Sequence, residues 1–148
     1  MGQRHFVTRV KLSPASKKNL DNIVYAHQQL FSKVQEFIGL AQSGAARTTL
    51  LPLIDVILKS SIAHFCVEEN LLCELMHPTF ASLAEAHCQI VLELVRFQDS
   101  VTSERDITTS EYHHVLDDLI IHDTVRHLDC LAGPIHSDGQ RVIANYAD

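Results

Sequence analysis

Apolar residues recur at three- and four-residue steps in four separate segments of this chain, and in every segment histidine interrupts the apolar stripe near mid-length. That step is the period of a helix with one buried face. The first stripe runs Leu20, Ile23, His27, Leu30, Phe31, Val34 and Ile38, with Pro14 and Ser16 as its start and Gly39 and Ser43-Gly44 as its stop. The second runs Leu50, Ile54, Ile57, Ser61, His64, Glu68, Leu71 and Leu75. Thr48 or Thr49 is its expected cap, Pro52 falls in its expected first turn, and Pro78 lies beyond its end. The third, capped by Thr79, carries Phe80, Leu83, Ala84, His87, Ile90, Val91 and Leu94, and the polar run from Gln98 to Thr109 is expected to be a connection. The fourth carries Val115, Leu116, Leu119, Ile120, His122, His127 and Leu131 and stops at Gly133-Pro134.

No alternating pattern or hairpin dipeptide competes with these stripes, so the expected fold is all-α, an up-down-up-down four-helix bundle. The chain divides into an N-terminal arm at 1–13, the bundle at 14–132 and a C-terminal tail at 133–148. A length of 148 residues suits one such domain, and five Gly and four Pro are too few for a low-complexity chain. A net charge of -6 and a pI near 5.9 disfavour a nucleic-acid or anionic-membrane binder, which needs a clustered positive field. No run of roughly 20 consecutive apolar residues is present, and the N-terminus lacks the apolar core of a signal peptide, so the expected setting is soluble and cytoplasmic. Cys66, Cys73, Cys88 and Cys130 form no CxxC pair and are expected to be buried, reduced thiols.

Ionisable side chains are rarely buried without a partner or a metal. One histidine in an apolar stripe is most simply a satisfied core residue; four stripes doing the same at similar depth are most simply a metal site. His64 and Glu68, four residues apart, lie about 40° apart on one helix face and aim at one place. His27 and His87 fall among residues that face the core, and His122 and His127, about 140° apart, flank a wide inner face. Bundle cores are where imidazole and carboxylate sites for iron or manganese are built. Glu36, about 180° around from His27, faces away and is expected to be solvated, while His77, His113 and His114 are assigned to the surface or to positions behind the ligands.

The order His27, then HFCVEENLL from His64 to Leu72, Pro78, His87 and His122 resembles hemerythrin, specifically the bacterial hemerythrin-like domains, over about residues 14–132. The resemblance implies a non-heme di-iron centre inside a four-helix bundle. By position, His27 and His64 would hold one iron, His87 and His122 the other, and Glu68 would bridge them. Two positions depart from the family. Its histidine four residues before the third-helix ligand is here Leu83, and its aspartate five residues after the fourth-helix ligand is here His127. Its IDxQH pattern reads Ile23-Val24-Tyr25-Ala26-His27, and Asp129 lies about two turns, roughly 10 Å, beyond His122, too far to bridge.

These departures leave Glu68 the only carboxylate of the set, which favours ferrous iron or another divalent metal over a diferric pair. With His127 drawn in, the set is His27, His64, His87, His122, His127 and Glu68. Leu83 leaves either a vacant coordination position or an apolar plug. The implied function is binding of oxygen or nitric oxide as a carrier, sensor or iron store. An enzyme that removes peroxide or nitric oxide is a second possibility, although no docking site for an electron donor stands out. A third is a helical signalling or interaction module whose degenerate site binds zinc or no metal.

Overall fold

The computed structural model describes residues 14–103 and 108–116 of the chain. Within them it is all-helical, with α1 at Pro14–Gln42, α2 at Arg47–Glu74, α3 at Phe80–Thr102 and a short α4 at Thr109–His113, and no strand is present among the described residues. Helix α2 packs against both α1 and α3, and α4 packs against α1.

The helix ends follow from local backbone chemistry. Gly44 adopts φ 77° just past α1, and the turn closes with Ala45 N–H donating to Leu40 O at 3.0 Å and Gly44 N–H to Ala41 O at 3.1 Å. This pair of bonds is a Schellman motif, in which a left-handed residue lets the last carbonyls find donors. The end of α2 repeats it without glycine. His77 N–H donates to Leu72 O at 2.9 Å and Met76 N–H to Cys73 O at 3.0 Å, with Met76 itself at φ 48°. Thr108 opens α4 with a full capping box: its hydroxyl accepts from Glu111 N–H while the Glu111 carboxylate accepts from Thr108 N–H.

Several boundaries differ from the sequence expectation. Helix α2 starts at Arg47, with Ala46 as its N-cap and no side-chain cap, so neither Thr48 nor Thr49 caps it. Pro52 therefore falls in the second turn, where the bond it cannot donate would have gone to an intrahelical carbonyl. Thr79 is the N-cap of α3, but its hydroxyl lies 2.7 Å from His77 Nδ1 and makes no bond to the helix. Helix α3 runs on to Thr102, into the first residues of the expected connection, because Phe97 and Val101 continue its buried stripe beyond Leu94. The final stretch expected of the fourth helix, together with the arm and the tail, lies outside the described residues.

Among the described residues the stripes are largely buried as the periodicity requires, with informative exceptions. Phe31, placed on the first stripe, is exposed, and Phe37 is fully buried in its stead. Helix α2 buries Leu53, Leu58, Phe65 and Leu72 besides its expected stripe, since a helix between two neighbours needs a wider apolar face. Cys66, Cys73 and Cys88 are free and exposed, which corrects the expectation of buried thiols; Cys130 lies outside the described residues. The reason is angular: Cys66 stands about 200° from Glu68 and Cys88 about 100° from His87 around their helices.

An 18-residue window of α2 has mean hydropathy 1.7, so this helix is long and apolar enough to cross a membrane by length and composition. Counting consecutive apolar residues misses this, because Asp55, Lys59, Ser60 and Ser61 break the run without lowering its mean below that of a span.

The apolar core has two parts. The larger contains Leu30, Val34 and Phe37 of α1, Ile54, Ile57 and Phe65 of α2, Ile90, Leu94 and Phe97 of α3, and Leu116. At its far end Phe37, Phe97 and Tyr112 meet edge to face, with ring centroids 5.6 to 5.9 Å apart, joining α1, α3 and α4. The smaller part is Ile23, Leu71, Leu72 and Leu83. Between the two in sequence register, within one or two turns of each, stand the buried polar residues His27, His64, Glu68 and His87.

Candidate metal centre

Each of these four side chains reaches the interior because its neighbours at three- and four-residue spacing are buried and, Ser61 apart, apolar. Ile23 and Leu30 flank His27 on α1, Ser61 and Leu71 flank the His64–Glu68 pair on α2, and Leu83 and Ile90 flank His87 on α3. Ser61 satisfies its own hydroxyl by donating to Ile57 O at 2.8 Å, so it is free of the site.

Glu68 is the hub and is wholly buried. Its Oε1 accepts from His27 Nε2 at 2.9 Å and lies 3.0 Å from His64 Nε2. Its Oε2 lies 3.0 Å from His87 Nε2. One carboxylate thus turns a different oxygen toward histidines of α1 and α2 on one side and of α3 on the other. The His27 and His64 rings meet edge to face with centroids 4.1 Å apart.

His64 is chemically the most telling member. It is buried, its Nε2 is close to Glu68 but not aligned for a hydrogen bond, and neither of its ring nitrogens is hydrogen bonded among the described residues. An imidazole buried in that way costs on the order of 1 to 3 kcal/mol per orphaned polar atom. A cation beside Nε2 removes that cost, and the donor set fits one: His27, His64 and Glu68 each offer a ligand atom, and these atoms all lie within 4.8 Å of one another. Such a group of imidazole and carboxylate donors suits zinc, iron or manganese.

Of the six residues read from the sequence as ligands, the structure brings His27, His64, Glu68 and His87 together; His122 and His127 lie outside the described residues. Leu83 is buried with Ile23, Leu71 and Leu72, one turn from His87 on α3. Glu36 is exposed and paired with Lys33 at 2.8 Å, as its place on the outer face requires.

Two further residues take part that the sequence reading passed over. Phe65 stacks flat on the His87 ring, with centroids 3.9 Å apart and planes 9° from parallel. Glu69 Oε1 accepts from His87 Nδ1 at 2.8 Å. Spacing gives part of the signal: Phe65 and Glu69 are four residues apart and each follows a candidate ligand by one, so they share one flank of α2, but spacing within one helix does not say which neighbour that flank meets.

A groove of about 500 Å³ runs along the α1–α2 surface beside the centre, bordered by Tyr25, Ala26, Val56, Ala63, His64 and Val67. Small residues at 26 and 63 bring this groove up to the buried imidazole. No family model, no curated protein and no solved structure matches the chain.

Proposed function

We propose that this chain is a hemerythrin-like protein: an up-down-up-down four-helix bundle holding a non-heme di-iron centre that binds oxygen or nitric oxide, as a cytoplasmic carrier, sensor or iron store. The observation that carries the reading is the divided geometry of Glu68, with His27 and His64 at Oε1 and His87 at Oε2. A carboxylate placed between two histidine groups is what a bridge between two metal ions requires. The short connections between consecutive packed helices support the bundle topology.

Ferrous iron, when bound, supplies the electrons that a diatomic ligand draws on. The chain's own residues do the rest. His27, His64 and His87 offer neutral nitrogen donors, and Glu68 contributes the one buried negative charge among them. His122 and His127 complete the set in this reading. The apolar clusters above and below the layer keep bulk water from the donors, and the α1–α2 groove gives a small apolar ligand a short approach to His64.

The tight group formed by His27, His64 and Glu68 alone favours a second reading, a single zinc ion held structurally in a helical interaction module. Metal analysis of protein purified without oxygen, with absorption spectra before and after air and nitric oxide, separates the two. Two irons per chain with a gas-dependent spectrum are expected. One zinc and a silent spectrum establish the second reading, and no bound metal removes both.

A further inference from the structure

We propose that Glu69 is a positioning residue of the centre, holding the His87 ring in the tautomer and orientation that turn Nε2 toward the metal. This rests on the metal-centre reading above. The two nitrogens of His87 face two successive carboxylates of α2: Nε2 lies 3.0 Å from Glu68 Oε2, and Nδ1 lies 2.8 Å from Glu69 Oε1. A carboxylate only accepts, so the contact with Glu69 keeps the proton on Nδ1 and assigns Nε2 to coordination. Phe65 fixes the plane of the same ring from its face, at 3.9 Å. Stacking alone allows the ring to flip by about 180° in χ2 into the same plane, exchanging Nδ1 for a carbon; the bond to Glu69 selects one of the two orientations.

The contrast within the site gives the inference its force. His64 has neither nitrogen hydrogen bonded among the described residues, so nothing there selects its tautomer before a metal binds. His87 is set in advance. Glu69 is also unlike Glu68 in its surroundings, with a side chain 30 % exposed where that of Glu68 is fully buried. It therefore keeps its hydration at its outer edge while bonding inward, which suits an orienting group better than a ligand. Partners of this kind behind a ligating histidine commonly raise metal affinity about 10- to 100-fold.

Zinc(II) is the probe, because it is diamagnetic and lets the imidazole signals be read by nitrogen-15 NMR in metal-free and zinc-loaded protein. The expected result is a protected Nδ1–H on His87 in wild type in both states. Glu69→Leu should lose that signal and bind zinc about 10- to 100-fold more weakly. Glu69→Gln, which keeps an acceptor oxygen, should restore most of both, a rescue that a purely structural role would not produce. Circular dichroism verifies that each variant is folded, and Glu69→Ala serves if Leu is not tolerated. A wild type that loads zinc while Glu69→Leu keeps both the His87 signal and wild-type affinity overturns the assignment. A wild type that takes up neither zinc nor iron overturns the metal-centre reading itself, and the positioning role with it.

Discussion

Phe65 lies flat against His87, 9° from parallel, so one core residue of α2 serves both the packing of the helices and the attitude of a candidate ligand on α3. Phe65→Leu keeps an apolar group in the core and removes the flat face. It should cost about 1 to 2 kcal/mol in urea unfolding and also weaken zinc binding in a titration. Phe37→Leu, in the same core but among Phe97 and Tyr112, should cost a similar amount and leave zinc affinity unchanged.

Glu68→Gln preserves shape and removes the one buried carboxyl group among the described residues. Wild type at a metal concentration about 100 times Kd should gain about 2.7 kcal/mol of stability. The variant should lose that gain, so its melting temperature with and without metal should coincide in calorimetry.

Leu83→His introduces an imidazole among Ile23, Leu71 and Leu72. The metal-free variant should be destabilised by about 2 kcal/mol or more, since nothing in that cluster accepts or donates. If the introduced nitrogen reaches the centre, added metal restores part of the loss. Thermal melts with and without zinc read both effects.

Met76 occupies a left-handed conformation at the end of α2, with its side chain almost fully in solvent. A residue with a Cβ is strained there by roughly 1 kcal/mol, and the methionine side chain recovers little by burial. Met76→Gly should therefore raise the unfolding free energy by about 0.5 to 1 kcal/mol, measured as a higher urea midpoint at unchanged slope.

The Asp55 carboxyl is held below the usual carboxylate range, chiefly by the hydrogen bond from Lys59 Nζ at 2.6 Å. A depressed folded value stabilises the protein above the unfolded pKa and is lost as pH falls through the folded one. The pair is exposed, so the effect is small. Asp55→Asn should flatten the acid limb of the melting-temperature profile slightly below about pH 4 and leave neutral stability almost unchanged.

Helical periodicity made α1, α2 and α3 and most of their buried faces legible, and it placed His27, His64, Glu68 and His87 inward correctly. Helix ends were harder to read. The polar run from Gln98 looks like a loop until Phe97 and Val101 are seen to continue the stripe, and the α2 start at Ala46 carries no capping side chain to mark it. Burial of the cysteines was misjudged because residue type was weighed above helical angle. Phe65 and Glu69 escaped because their roles depend on which neighbour lies beside α2, and a single-helix pattern carries no information about that.

The layer of His27, His64, Glu68 and His87 between two hydrocarbon clusters also limits how the helices can slide past one another. Slipping α2 by one turn would set Leu71 or Ser61 against His27 and strand the Glu68 carboxylate among residues such as Ile23 or Ile90. The cost of such an uncompensated charge is several kcal/mol, far more than a shifted row of leucines incurs. A uniform apolar seam would tolerate several alignments of these long helices. This one is keyed, so the residues that could hold a metal also dictate the single alignment in which their donor atoms meet.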